Sequence, residues 1–145
     1  ASGPSASLVK NWAGYSSHFK KIVPVSTLDH VLSGRMTDKQ LFIKMDVEGA
    51  EYQVLKGALA TICREVKPVW LLEVCFQEFH PDGANPDFEN IFTLFFNNGY
   101  RAYTATEPPK PVTPEEVAHW IKSNSIDSGT FNYVFIDAQN TALEI

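Results

Sequence analysis

Three acidic residues lie close together in one segment, Lys44-Met45-Asp46-Val47-Glu48-Gly49-Ala50-Glu51. The apolar run before them predicts a strand and the apolar spacing after them predicts a helix, so the acids occupy a strand-to-helix junction. In open α/β sheets, ligands bind beyond the carboxyl ends of the strands. We therefore expect Asp46 and Glu48 to face a crevice, where a carboxylate could take a proton from a bound substrate.

A helix N-terminus also attracts acids that have no catalytic role, because carboxylates accept backbone N–H groups and suit the helix dipole. We prefer this structural interpretation for Glu51. For Asp46 and Glu48 we prefer a catalytic interpretation, since two acids at the lip of a crevice exceed what one cap requires. A further hypothesis is that the carboxylates bind a divalent cation, although we assign no metal-ligand set.

Other candidate residues flank this segment. Glu73 interrupts an apolar strand, so we expect it either to pair with Lys44 on the neighbouring strand or to face the crevice. His80 could act as a general base because its pKa lies near neutrality, although a loop histidine is often only solvated. Gln77 and Glu78 belong to the same loop. Our candidate substrate-binding residues are Lys44, Glu73, Gln77 and His80.

A strand, a helix and a second strand position these residues. Leu41 to Met45 and Val69 to Val74 are nearly continuous apolar runs, typical of strands covered on both faces. Between them, apolar residues recur every four positions from Ala50 to Val66 and predict one helix, which Pro68 ends. A crossover of this kind builds a parallel sheet.

The remaining pattern predicts an α/β fold with few other elements. Residues 1–20 form an irregular arm in which only Leu8, Val9 and Trp12 are candidates to pack. Before the crossover, the pattern predicts a β-prone run at Lys21 to Val25 and a short helix at Leu28 to Ser33, capped by Ser26 or Thr27.

After the crossover, the pattern predicts a helix at Phe88 to Asn98, whose apolar stripe belongs to the core, and a strand at Tyr100 to Thr104. A flexible excursion is predicted at Glu107 to Pro111. A helix from Thr113 to about Lys122 and a strand at Phe131 to Asp137 follow it.

Composition excludes several classes of partner. The 145 residues are 44% hydrophobic, which suits one domain with a real core. The net charge is −5 and the basic residues are scattered, so we expect no nucleic-acid partner. No apolar run approaches the ~20 residues that span a bilayer, so we expect no membrane partner. Cys63 and Cys75 suit a reduced compartment, which favours the cytoplasm.

Four segments resemble consecutive blocks of the FkbM methyltransferase domain, in the order of that family. They are Val23 to Asp29, Ile43 to Glu51, Val54 to Ala58 and Pro68 to Val74. The block Lys-x-Asp-Val-Glu-Gly-Ala-Glu is the specific one. The resemblance extends over about Val23 to Asp137.

The resemblance implies S-adenosylmethionine-dependent methyl transfer, with an oxygen of a small molecule or sugar as the acceptor. It implies a Rossmann-like class I sheet of seven strands with an antiparallel last strand. Leu41 to Asp46 would be the fourth strand, Val69 to Val74 the fifth, and Tyr100 to Thr104 with Phe131 to Asp137 the final pair. Residues 21–145 would then be the C-terminal half of the domain. Asp46 and Glu48 would position or deprotonate the acceptor.

The sequence departs from the family pattern at the cofactor motifs. A complete domain begins with a glycine-rich turn that holds the cofactor, but Gly-x-Gly occurs nowhere here. We therefore expect no S-adenosylmethionine binding by this chain alone. The apolar strand Leu41 to Met45 would also have an open edge, which we expect to be covered by Lys21 to Val25, a second copy of the chain, or upstream residues. The alternative function is a non-catalytic half-domain that acts as a binding or assembly module.

Overall fold

The computed structural model describes residues 7–14 and 22–140. These residues form a mixed α/β fold around one five-stranded sheet, with the strand order β1-β2-β5-β3-β4. The strands are β1 (Phe42–Met45), β2 (Val69–Glu73), β3 (Tyr100–Thr104), β4 (Pro111–Val112) and β5 (Asn132–Asp137). The helices are α1 (Leu28–Leu32), α2 (Glu51–Lys56), α3 (Leu59–Ile62), α4 (Phe88–Asn97) and α5 (Pro114–Ser123), with a short 3-10 turn at Trp12–Gly14.

The pairing of the strands confirms the predicted crossover. β1 and β2 are parallel, with Ile43 opposite Trp70. β5 runs antiparallel to β2 on one side and to β3 on the other. The carboxyl ends of β1 and β2 therefore meet at one edge of the sheet, which positions the acidic residues that follow them.

The single helix predicted from Ala50 to Val66 is wrong, because the structure contains α2 and α3 with a break at Gly57 and Ala58. The carboxylate of Asp29 accepts hydrogen bonds from the backbone N–H groups of Ala60 and Thr61, 2.9 Å and 2.8 Å away. This remote side chain caps a new helix start. The apolar face itself persists, since Ala50, Ala58 and Ile62 are buried.

The core lies between α4 and the sheet. The predicted apolar stripe of α4 is confirmed, because Phe88, Ile91, Phe92 and Phe95 are fully buried. The rings of Phe95 and Phe135 stack with their centroids 4.0 Å apart, which fixes α4 against β5. Val74 and Phe76, directly after β2, belong to the same core, whereas Asp46, directly after β1, is exposed.

The C-terminal third contains one confirmed prediction and one error. Thr113 and Glu116 form a capping box at the start of α5, as the Thr-Pro-Glu-Glu pattern predicts. The excursion predicted to be flexible is instead partly regular, because Pro111 pairs with Tyr103 and Val112 with Ala102 as β4. The short length of β4 suits an edge strand that begins with proline.

β1 is the other edge of the sheet, and no described residue pairs with its outer side. The expectation that Lys21 to Val25 would cover this edge is wrong for the part described, since residues 22–27 form no strand and Ile22 and Val25 are fully or largely exposed. Lys21 lies outside the described residues. A segment without a partner strand gains no ladder hydrogen bonds. The β-prone composition of residues 22–25 was therefore not sufficient to form a strand.

Candidate functional site

Asp46 and Glu73 lie side by side at the carboxyl edge of the sheet. Asp46 follows β1 and Glu73 ends β2, and the register that pairs Met45 with Leu72 places the two acids next to each other. They line a small cavity of about 10 Å³ together with Trp12, Glu48, Gly49, Glu51 and Cys75. We call Asp46, Glu48, Glu51 and Glu73 the acidic cluster.

The predicted ion pair between Lys44 and Glu73 is wrong. The Nζ atom of Lys44 lies 3.0 Å from Oδ2 of Asp46, two residues further along the chain. Both predicted partners lie on one face of the sheet, because Lys44 is opposite Leu71 and Leu71 is two residues before Glu73. The side chain of Lys44 is 55% exposed, so burial does not force it to pair with Glu73.

Glu73 is partly buried and lies near two other acids, Asp46 and Glu48. Burial raises the pKa of this carboxyl, and the negative charges of Asp46 and Glu48 raise it further, while Lys44 acts in the opposite direction. A carboxylate with a raised pKa holds a proton more tightly and is a better proton acceptor. Glu73 lines the cavity of the acidic cluster, which is the second of the two placements predicted for it.

Glu48 is held in place by an aromatic residue of the N-terminal arm. The indole Nε1 of Trp12 donates a hydrogen bond to Oε2 of Glu48 over 2.6 Å. The hydroxyl of Ser7 donates to the backbone carbonyl of Glu48. The indole ring also lies against Gly49, where an added Cβ would be 2.4 Å from it. Segment Ser7–Gly14 therefore covers the strand-to-helix turn.

The turn itself requires unusual backbone conformations. Glu48 and Gly49 have φ angles of +54° and +91°, which glycine accepts far more readily than other residues. Glu51, directly after this turn, is buried, and its Oε1 accepts a hydrogen bond from the backbone N–H of Gly49 over 3.1 Å. Burial is the largest cause that raises the pKa of Glu51, and backbone hydrogen bonds oppose it. The bond to Gly49 is a backbone contact of the kind that the structural interpretation of Glu51 predicts, although Glu51 does not cap α2.

The loop after β2 contains the remaining candidates, Gln77, Glu78 and His80. Gln77 donates through Nε2 to the backbone carbonyl of Asn124 at the end of α5, and a carboxylate oxygen of Glu78 accepts from the backbone N–H of Gln77. Neither residue lines the small cavity of the acidic cluster. The ring of His80 contacts Trp12 edge to face, with centroids 4.8 Å apart. His80 is thus separated from the acidic cluster by one aromatic ring.

Two residues of the site were not candidates for its chemistry in the sequence. Trp12 lies more than thirty positions before the acids, and its only signal was that it could pack. Cys75 lines the same cavity, and burial followed by the charge of Glu73 raises the pKa of its thiol to about 12. A thiol with this pKa is protonated at neutral pH and is a poor nucleophile.

The described residues also bear on the metal and membrane hypotheses. Among residues 7–14 and 22–140, no group of three or more His, Cys, Asp and Glu side chains is arranged to hold a metal ion. The divalent-cation hypothesis therefore gains no support from the acidic cluster. Within the same ranges, no helix has the length and hydropathy to cross a bilayer.

Comparison with known families gives one match that includes the strand-end acids. The model of the FkbM methyltransferase domain matches residues 1–102, which include Trp12 and the whole acidic cluster. The chain belongs to the FkbM methyltransferase domain family. Searches of curated proteins and of solved structures found no match. Membership of the FkbM family indicates methyl transfer, and for the family in general that catalysis depends on S-adenosylmethionine.

Proposed function

We propose that this chain supplies the acceptor side of an FkbM domain that transfers a methyl group from S-adenosylmethionine to a hydroxyl oxygen of a small molecule or sugar. The observation that carries the proposal is the acidic cluster, which lies at the carboxyl ends of β1 and β2 in a chain of this family. A hydroxyl group must lose its proton when its oxygen is methylated, and a carboxylate within hydrogen-bond reach is suited to accept that proton.

We assign the proton-accepting role to Asp46 and the positioning role to Glu48. The Glu48 carboxylate already accepts the Trp12 hydrogen bond, which fixes its orientation. Asp46 is accessible to a bound acceptor, because its side chain is 37% exposed and its partner Lys44 is also exposed. Glu73 lies beside Asp46 and is the second proton acceptor of the cluster.

Alignment supplies the other part of this mechanism. Methyl transfer is an in-line displacement, which requires the acceptor oxygen to lie in line with the methyl group. Binding the acceptor in that orientation lowers the entropy cost of reaching the transition state. Lys44 orients the Asp46 carboxylate over 3.0 Å, and Trp12 orients Glu48. We propose that these two pairs position the acceptor oxygen.

The cavity of the acidic cluster does not fit S-adenosylmethionine. The cavity of the acidic cluster measures about 10 Å³, close to the space of one water molecule, and the sequence has no Gly-x-Gly turn. We therefore propose that this chain supplies the acceptor side, as the C-terminal half of a Rossmann-like class I sheet. The strand order β1-β2-β5-β3 and the antiparallel β5 support this assignment.

The binding-module alternative is not favoured, because a module without catalysis does not require a crowded acidic cluster at the strand ends.

We propose a cytoplasmic location, which the free thiols of Cys63 and Cys75 support.

The test is the substitution Asp46→Ala in the complete enzyme, with Asp46→Asn as the variant that preserves shape. We expect turnover to fall by about 10²–10⁴-fold in both, as for the loss of a general base, while the melting temperature changes little. Methylated acceptor is measured by mass spectrometry. Unchanged turnover with a lower melting temperature would assign Asp46 to a structural role and remove it from the mechanism.

A further inference from the structure

The indole of Trp12 contacts both the acidic cluster and the loop after β2. Its Nε1 donates to Glu48, and its ring lies against Gly49. The ring of His80, in the loop, packs edge to face on the same indole, with centroids 4.8 Å apart. Trp12 is 5% exposed. A change in the loop at His80 can therefore reach Glu48 through a single side chain.

The loop after β2, residues 74–87, is anchored near both of its ends. Near the start, Nε2 of Gln77 donates to the backbone carbonyl of Asn124 over 3.2 Å. Near the end, the buried side chain of Asn85 donates through Nδ2 to the carbonyl of Cys75 over 3.0 Å. A loop that is fastened at two points holds the side chains packed on it more precisely than a free loop does.

The N-terminal arm is joined to this loop through its backbone as well. The N–H of Ala13 donates to the carbonyl of Phe79 over 2.8 Å. This bond connects the residue directly after Trp12 to the residue directly before His80. The rings of Trp12 and Phe79 are also near each other, with centroids 6.1 Å apart. The backbone bond therefore supports the contact between the Trp12 and His80 rings.

His80 is poorly placed to act as a base on the acceptor. A general base must lie within hydrogen-bond reach of the proton that it removes, directly or through one water. The Trp12 indole separates His80 from the acidic cluster, and the Nε2 atom of His80 is buried. Burial lowers the pKa of His80, while the charges of Asp82 and Asp87 act in the opposite direction. An imidazole with a lowered pKa is neutral at pH 7, which suits packing on an indole.

We propose that His80 is a positioning residue, which packs on the Trp12 indole and thereby holds its N–H in place to orient the Glu48 carboxylate. The contacts run from His80 to Trp12 to Glu48, and no proton moves along them. This inference rests on the proposed methyl transfer, in which Glu48 positions the acceptor. It replaces the general-base hypothesis for His80 with a role in packing.

The first test is NMR of the full chain, which observes the Trp12 indole N–H directly. A hydrogen bond of 2.6 Å to a carboxylate moves an indole N–H resonance downfield, and Trp12→Phe identifies this signal among those of the three tryptophans. We expect His80→Ala to move the signal toward that of a free indole. His80→Phe, which keeps a ring, should preserve it. His30→Ala is the matched control, because His30 is exposed on α1, and it should leave the signal unchanged.

The second test is turnover of the complete enzyme, with circular dichroism to verify the fold of each variant. His80→Ala should lower kcat by roughly 10–10²-fold, as for other misplacements of an orienting group, and should change the KM for the acceptor less. His80→Phe should restore most of the turnover. If His80 acts through the indole N–H, His80→Ala should cost much less in a Trp12→Phe background, where that N–H is already absent. This comparison does not depend on the folding of His80→Phe.

An unchanged Trp12 signal or an unchanged turnover in His80→Ala would overturn the proposal. Equal losses of turnover with and without the indole N–H would also overturn it. A folded His80→Phe enzyme that is inactive while its Trp12 signal is native would assign His80 a chemical role instead. The NMR test involves no methyl transfer. A shifted Trp12 signal in His80→Ala together with an inactive native enzyme would therefore refute the proposed function, while confirming that His80 holds Trp12.

Discussion

The indole of Trp12 and the carboxylate of Glu48 form a 2.6 Å hydrogen bond across 36 positions of the chain. The bond joins the N-terminal arm to the strand-to-helix turn, and its acceptor belongs to the proposed active site. Trp12 is buried and the acceptor is a carboxylate oxygen, so this is a charge-assisted bond in a partly dry environment. The arm is therefore part of the site and not only a covering segment.

A double-mutant cycle on this pair should show a coupling free energy of about 1.5 kcal/mol, the low end for a bond to a charged group, because Glu48 is only partly buried. The cycle combines Trp12→Phe with Glu48→Ala, and urea unfolding of the four proteins gives the free energies. Strict additivity of the two substitutions would contradict the bond.

Gly49→Ala should destabilise the chain more than Gly83→Ala. The two glycines have similar φ angles, +91° and +97°, so alanine carries a similar backbone strain of about 1–2 kcal/mol or more at both positions. Only at Gly49 would the new Cβ collide with a ring, 2.4 Å from Trp12. Overpacking adds about 1–3 kcal/mol to the loss of unfolding free energy, measured by urea denaturation. Equal losses would show that the arm does not press on the turn.

Glu51→Gln should stabilise the chain at pH 7 relative to the native protein, and less so at acidic pH. Burial raises the pKa of Glu51 in the folded state above its ordinary value of 4.5. A carboxyl with a raised pKa contributes stability below pH 4.5, and this contribution is lost as the pH rises through the folded-state pKa. Glutamine keeps an acceptor for the Gly49 N–H without the charge.

The check for Glu51 is the difference in melting temperature between variant and native chain, measured from pH 4 to pH 7 in roughly half-unit steps. We expect this difference to increase with pH. Glu65→Gln is the control, since Glu65 is an exposed acid outside the acidic cluster. A difference that decreases with pH would mean that the ionised Glu51 is stabilised by its backbone partners.

Titration calorimetry of this chain with S-adenosylmethionine should detect no binding. The acidic cavity is too small for the cofactor, and the remaining contacts cannot offset the ~4 kcal/mol or more of translational and rotational freedom lost on association. Micromolar binding would show that this domain builds its cofactor site from residues other than the glycine-rich turn of the family pattern.

Much of the sheet could be predicted because its strands are encoded locally. The apolar runs at Phe42–Met45 and Val69–Glu73 and the strand at Tyr100–Thr104 appear where the pattern placed them. The break between α2 and α3 could not be predicted, because its cause is Asp29, about thirty residues earlier. The periodicity of the apolar face continues through the break and conceals it.

The sequence by itself determined the position of Asp46 and Glu48 at a strand-to-helix turn, because strand and helix periodicities are properties of neighbouring residues. It also determined the cap of α5, whose partners Thr113 and Glu116 are three residues apart. Only the tertiary structure decided that Lys44 pairs with Asp46, that Trp12 binds Glu48, and that Glu73 faces the crevice. Those outcomes depend on side-chain exposure and on contacts between distant segments, which no local pattern encodes.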